Sequence, residues 1–424
     1  MMTFGGRDHI PKKAVCVPGG ASVDISAFLP IIDHPLFQRL RWRKQLGVNF
    51  LVFPGAVHTR FEHAIGTLGL TQRLCQAYGV SGPDVRRLCG FALLHDIGHG
   101  PFSHQIEPIA GGGHHGRGVA YLAGMSKALQ ACGLSVAEMT TLFTGQDPLS
   151  VIVSDRNLGT DKLDYLRRDA LHIGFTGMPD VEKIQRYAFV QDGTWLVEER
   201  FIEDVKRIQK FYSYLHQHGY LNKTALAVQR VFQRAVQEEL VMGTATSDDL
   251  WEMTDDELLH WLHGALSPVT QQLIERLQDR SFHRSVYVIK PRGYGFVERR
   301  SSKGIIVREW PREDIRRFSE AHSNVAAVLK AENELAQVLG CDHGDVLFAA
   351  MPYFAKLVPR DVRIYSARDE GDYWLFANDK DHFRSLQGDY LRTFAIRIIT
   401  PPHLRDHVLE QGAAITEFLK QKIG

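Results

Sequence analysis

Cysteine is scarce in this chain: Cys16, Cys75, Cys89, Cys132 and Cys341 are the only 5 in 424 residues, and no two form a Cys-x-x-Cys pair. That argues against a disulfide frame or a thiolate zinc site and for a reducing compartment. An excess of charge is missing as well. With 50 Lys and Arg against 49 acidic residues, no global field marks a general nucleic-acid binder, so local patches must carry any anion binding. No apolar run approaches the length of a membrane span, and the opening MMTFGGRDHIPKK lacks an apolar leader core, so a cytoplasmic protein is expected. Internal repeats and low-complexity tracts are also lacking. What the chain does have is 44% hydrophobic residues, enough for a large core, and a length that suggests two or three structural units.

Histidine is unevenly spread, with 5 of 20 falling between residues 95 and 115. The stretch LLHDIGHGPFSH (93–104) ends an apolar helix and sets His95 beside Asp96. It then breaks helical form at Gly98, Gly100 and Pro101 while adding His99 and His104. An imidazole next to a carboxylate at a helix end suits a borderline divalent metal. The glycines let backbone come close where a Cβ would collide.

Three further segments frame that stretch. From Asp33 a helical pattern carries Phe37, Leu40 and Leu46 with a basic cluster of Arg39, Arg41, Arg43 and Lys44, and ends at FLVFPG (50–55). A helix over about Thr59–Tyr78 puts Phe61, Ile65, Leu68 and Cys75 on one stripe and leaves His63 off it. Ser81-Gly82-Pro83-Asp84 opens the next, which runs into the His-Asp pair. Farther on, DKLDYLRRDALH (161–172) pairs an apolar row of Leu163, Leu166 and Ala170 with a polar row of Lys162, Tyr165 and Asp169, with Asp161 beside it. One face packs and the other looks into a site.

The texture changes near residue 280. Before it, helical patterns continue through 201–240, and Thr254 with Glu257, then Pro268, open two more helices. After it, SVYVIK, GIIVREW, DVRIYS, YWLFA and FAIRII read as strands, with one long helix expected from about Arg312 to Leu339 and a closing helix after Pro401 and Pro402. The expected fold is mainly α: an extended segment over 1–30, a helical core over 31–280 and a smaller α+β lobe over 281–424.

His63, His95, Asp96 and Asp161 are the polar residues that break the apolar stripes. Any one alone reads most simply as a satisfied buried polar group; jointly they read as the ligands of Fe, Mn, Zn, Ni or Mg, among which the set does not choose. Their order, H…HD…D, resembles the HD-domain phosphohydrolase superfamily. The strings FQRLRWRKQLG (37–47), FPGAVHTRFEHAIG (53–66), HDIGHGPFSH (95–104) and DKLDYLRRD (161–169) resemble the branch holding the sterile-alpha-motif and HD-domain dNTP triphosphohydrolases and their bacterial relatives. The likeness covers roughly 25–240 and is weaker beyond; no sterile-alpha-motif domain is recognisable.

The resemblance implies hydrolysis of a dNTP to deoxynucleoside and triphosphate, one divalent metal ion, a second Mg accompanying the substrate phosphates, and a homo-oligomer, dimer or tetramer. It implies that Arg60 and Lys162 contact phosphate, that Tyr165 lies along triphosphate and sugar, that Gln45 and Asp169 read the 3′-hydroxyl, and that Leu46 packs on the sugar. His115 would be the acid and base residue, oriented by Glu107, with His99 and His104 lining the phosphate site. Asp33, Gln38 and Arg41 match a regulatory nucleotide site, yet PGGASVD (18–24) stands where the family's upstream motif belongs. Tyr212 holds the spacing of a phosphate-binding Arg, with Arg207 and Lys210 as substitutes. Two other readings are carried: a phosphohydrolase or phosphodiesterase on a monophosphate or cyclic nucleotide, and a nucleotide-sensing or nucleic-acid-binding module using QRLRWRK.

Overall fold

Local start signals decide where the helices begin in this computed structural model, which describes residues 11–293, 304–350 and 358–422. Thr59 accepts the Glu62 N–H and opens the helix Arg60–Ala77. Pro83 sits in the first turn of Pro83–Leu94, Thr254 and Glu257 form a reciprocal capping box on Asp255–His263, and Ser267-Pro268 opens Pro268–Gln278. The 60–77 and 83–94 helices pack together around Ile65, Leu68, Ala92 and Leu93, all fully buried. Thr160–Ile173 crosses the first of these, which brings the polar row of one helix against His63 of the other.

Several expectations meet corrections. The basic segment after Asp33 is a chain of single turns, Pro35–Gln38 and Arg39–Trp42, because Pro35 starts a turn and no apolar stripe continues it. The start of the chain pairs β1 (Ala14–Val15) with β2 (Val23–Asp24), as an extended segment should; its first ten residues lie outside the described residues. Within the stretch read as helical, β3 (Ala188–Gln191) and β4 (Thr194–Glu198) form a hairpin whose turn, Asp192-Gly193, has positive φ at both residues. The long helix expected over 312–339 is two, Arg312–Ala321 and Val325–Val338. Asn324 causes the break, since its side chain accepts the Ala327 N–H and caps the second helix.

The remaining strands are β5 (Arg284–Pro291), β6 (Ile306–Trp310), β7 (Leu347–Ala350), β8 (Arg363–Ser366), β9 (Gly371–Trp374) and β10 (Ile396–Thr400). YWLFA, read as strand throughout, leaves the sheet after Trp374 and turns helical at Leu375–Asn378. One sheet runs β6-β5-β10-β7, with β5 and β6 parallel; the other runs β3-β4-β8-β9, with β4 and β8 parallel. The hairpin is therefore completed by strands more than 160 residues later. Helix Lys223–Val241 ties the first sheet to the helical part: Glu332, on 325–338, accepts from Arg230 Nε (2.8 Å), Arg234 (2.8 Å) and the Phe348 N–H (2.8 Å), all in the buried interior. The fold is mainly helical with small sheets. Among the described residues no helix is long and apolar enough to cross a membrane.

Candidate active site

His63 and His95 point their Nε2 atoms at one another across 3.2 Å, and carboxylate oxygens close around them. Asp161 Oδ1 lies 3.1 Å from His63 Nε2 and 3.4 Å from His95 Nε2; Asp96 Oδ2 lies 3.6 and 3.5 Å from the same atoms. The back of each ring is engaged. His63 Nδ1 is 2.8 Å from Asp164 Oδ2, and His95 Nδ1–H donates to the Ala92 carbonyl at 2.8 Å. Those contacts place a proton on each Nδ1 and aim the lone pairs of both Nε2 atoms at one point. With both rings neutral, two acceptors at that separation cannot satisfy each other; either a proton on one Nε2 or a divalent cation between them resolves the contact, and the cation also satisfies the two carboxylates. The field agrees: burial opposes charge on His63, but hydrogen bonds to Asp161 and Asp164 outweigh it and raise the imidazole to about 10. Burial opposes charge on Asp96 too, yet Arg60 and the imidazoles hold that carboxyl well below the usual range. The donor set fits a bound cation.

Backbone economy makes the approach possible. A Cβ on Gly66 would lie 1.9 Å from an Arg168 guanidinium nitrogen and 2.3 Å from Asp164 Oδ1, so only glycine lets the 160–173 helix bring Asp164 against His63. Asp164 is fully buried and is gripped by Arg168 through both oxygens at 2.8 Å. After the His-Asp pair the chain takes left-handed backbone at Phe102 and Ser103, φ 51° and 56°. An aromatic there costs of order 1–3 kcal/mol and marks a held geometry. Asp255 accepts the Phe102 N–H at 2.7 Å, and Ser103 Oγ donates to the Lys44 carbonyl at 2.7 Å while accepting from Arg60 Nε at 2.9 Å. Arg60 thus stands between the strained turn and Asp96 Oδ2, 2.5 Å away.

Beside His63, His95, Asp96 and Asp161 lies a second group of imidazoles around Glu107. Its Oε1 is 2.7 Å from His114 Nδ1, 3.3 Å from His104 Nδ1 and 3.5 Å from His99 Nδ1. The expectation that Glu107 orients His115 is corrected: it holds His114, the first residue of helix His114–Gly124, and His115 is turned one position around the helix. Burial and the neighbouring His114 push the His115 imidazole down. His99 is fully buried between Asp96 (3.3 Å) and Glu107, outside the cavity wall, and burial with Arg60 pushes it well below its ordinary range.

A cavity of about 940 Å³ opens beside His95, Asp96 and Asp161. Of the expected substrate residues, Arg60, Gln45, Leu46, Tyr165 and Asp169 stand in its wall, as do His104 and His115. Asp169 accepts from Tyr220 Oη and sits 2.7 Å from His58 Nε2. Lys162 does not reach the wall: its ammonium lies over the Tyr212 ring at 3.5 Å, and burial lowers it to about 7. Arg207 pairs with Asp204 and Lys210 with Asp389, so neither substitutes at that place. Gln38 and Arg41 meet, Arg41 Nε donating to Gln38 Oε1 at 2.8 Å, while Gln38 Nε2 binds the Ile32 carbonyl. Asp33 ends the turn Leu29–Ile32; all three lie outside the central cavity. Sequence reasoning missed Asp164, Ser103, His58 and the Glu107–His114 pairing. Only Asp164 left a signal, its i,i+4 spacing to Arg168.

Residues 60–167 match the family described as HD domain, a span that begins at Arg60 and contains His63, His95, Asp96 and Asp161. The chain carries an HD domain. Among curated proteins it is similar to the uncharacterized protein MJ1154 of Methanocaldococcus jannaschii, 30% identical over 61% of this chain and 55% of that one. It is also similar to the deoxynucleoside triphosphate triphosphohydrolase SAMHD1 of Bos taurus, 24% identical over 74% of this chain and 64% of that one. The chain thus spans little more than half the length of the archaeal relative. A crystal structure of a phosphohydrolase from Bacteroides thetaiotaomicron superposes with a TM-score of 0.68 at 20% identity, covering 92% of this chain and all of that one, which shows a shared fold.

Proposed function

We propose that this HD-domain protein is a metal-dependent phosphohydrolase that cleaves deoxynucleoside triphosphates to deoxynucleoside and triphosphate. The observation that carries the reading is the convergence of His63, His95, Asp96 and Asp161 at one end of a cavity whose next wall offers Gln45, Leu46, Tyr165 and Asp169. The similarity to proteins named as dNTP triphosphohydrolases supports it. The four donors would hold a divalent cation, and the chemistry supplied there is Lewis-acid polarisation of a phosphoryl group. Arg60, fixed by Ser103 and Asp96, offsets charge that grows on phosphate oxygens. His104 is the proton donor to the leaving oxygen in this reading. It lines the cavity, and Glu107 at its Nδ1 leaves Nε2 for substrate, an arrangement that contributes typically ~10²–10⁴-fold. Burial and the neighbouring His114 push the His115 imidazole down, so it takes up a proton less readily than an ordinary imidazole. Gln45 Oε1 is buried without a partner among the described residues and is placed to accept from a sugar hydroxyl.

The screen that tests this incubates protein loaded with Mn, Fe, Zn, Ni or Mg with each dNTP and separates the products. Released triphosphate supports the reading, and no dNTP hydrolysis with any metal sinks it. One observation favours a second reading, a nucleoside monophosphate or cyclic ester as substrate: Tyr212 and the stacked Lys162 leave the phosphate end with fewer cations than a triphosphate calls for. Orthophosphate release from a monophosphate, or opening of a cyclic ester, would favour it. Assembly as a homo-oligomer in the cytoplasm belongs to the same proposal, and sedimentation reads the first part of it.

A further inference from the structure

The cavity continues well past the residues that the phosphate and sugar would occupy. Its volume of about 940 Å³ is at the upper end for small-molecule sites, and its far part is walled by elements distant in sequence. One side is helix 223–241, which presents Gln229 and Gln233 one turn apart, with Leu226 above them. The other is the break between helices 312–321 and 325–338, where His322, Ser323 and Asn324 face the cavity, backed by Phe318 and Phe348.

The chemistry of this chamber differs from that of the metal end. His322 stacks on Phe318 at 4.2 Å and 29°, and Phe318 meets Phe348 edge-on at 5.7 Å. The His322 Nδ1–H donates to the Phe318 carbonyl at 2.7 Å, which locks the ring and leaves Nε2 as an acceptor. Gln233 Nε2 donates to the Gln105 backbone carbonyl at 3.0 Å; a carbonyl can only accept, so the amide cannot flip, and its Oε1 is committed as an acceptor. Gln229 pairs with the Asn49 side-chain amide at 2.8 Å. Aromatic faces beside fixed acceptors, with no unpaired charge among these side chains, suit a flat heterocycle that carries N–H donors on its edge.

Resting on the function proposed above, we propose that this chamber receives the nucleobase, that Gln233 and His322 read its donor edge, and that the 322–324 break thereby makes the later part of the chain a determinant of substrate choice. Adenine and cytosine, with an amino group at that edge position, gain a hydrogen bond at Gln233 Oε1 that guanine and thymine, with a carbonyl there, do not.

Two variants test this, Gln233→Leu and Ser323→Trp, the second because it fills the chamber from an exposed loop without touching the interior. Each is measured for kcat/KM on dATP, dCTP, dGTP and dTTP, with metal content and melting temperature recorded. Gln233→Leu is expected to lower kcat/KM for dATP and dCTP about 10-fold relative to dGTP and dTTP, carried by KM. Ser323→Trp is expected to penalise the larger purine nucleotides more than the pyrimidines. Nucleotide hydrolysis whose base ratios are unchanged in both variants overturns the chamber proposal and leaves the function standing. Wild-type protein that cleaves no nucleotide overturns both.

Discussion

Replacing Asp164 by Asn tests whether the metal end is held from behind as its geometry implies. Asp164 touches no cavity wall; it acts through His63 Nδ1 at 2.8 Å and through Arg168, whose guanidinium it grips with both oxygens. Asparagine keeps the shape and one acceptor but turns an N–H₂ toward Arg168 or His63, both donors. A carboxylate behind a ligating imidazole is worth typically ~10–100-fold in metal affinity, about 1.4–2.7 kcal/mol. Arg168 still has Glu62 at 2.8 Å, so the fold should lose less than the ~3–5 kcal/mol of a fully stripped buried pair, the value expected for Asp164→Ala. The sign of the pH dependence also follows. His63 carries a proton up to about 10 in the metal-free site, so metal binding must displace it, and affinity should rise with pH until that value is passed. Without the Asp164 charge that proton is held less tightly, so the rise should be shallower. Competition against a chromophoric chelator at pH 7 and pH 9, beside a melting curve, reads all three effects. A folded Asp164→Asn protein that binds metal within twofold of wild type at pH 7 would refute the reasoning.

Glu332→Ala takes from buried Arg230 its carboxylate partner, while Arg234 keeps Glu238, and should cost ~3–5 kcal/mol in urea denaturation; a loss under ~1 kcal/mol would mean the cluster relaxes to water. His283 is pushed down to about 3 by burial and donates Nε2–H to the Gly344 carbonyl, so it is neutral in the fold while the unfolded chain takes up a proton near 6.5. Stability should therefore fall below pH 6.5 by about 1.4 kcal/mol per unit from this group, and His283→Gln should flatten that limb; identical acid slopes for variant and wild type would remove the assignment. Gly98→Ala sets a Cβ 1.9 Å from the His114 carbonyl oxygen and 2.4 Å from the Gly118 nitrogen, which must push the 114–124 helix away. A loss of ~1–3 kcal/mol in stability together with reduced turnover is expected, since His114 leaves Glu107; an unchanged melting temperature would contradict the close approach.

What could be read before folding, and what could not, divides by the range of the interaction. Thr59, Pro83, Thr254 with Glu257, and Pro268 mark true helix starts because a cap is settled within one turn of chain. The Asp192-Gly193 hairpin was equally local and was overlooked; the long helical patterns on either side hid a two-residue turn signal. The parallel pairings of β4 with β8 and β5 with β6 join segments whose partners no local pattern names. In the site, His63, His95, Asp96 and Asp161 were legible because their order, H…HD…D, lies in strings that resemble the HD-domain superfamily. Their meeting, across as many as 98 residues, is a tertiary event. The choice between His114 and His115 was not legible at all. Adjacent histidines look alike in sequence, and only the angle at which their helix leaves the glycine loop decides which ring faces Glu107. That angle is set by Gly98, whose missing Cβ admits the His114 carbonyl. The glycine in the His-Asp stretch therefore selects which imidazole joins Glu107, and so ties the loop after His95-Asp96 to the helix His114–Gly124.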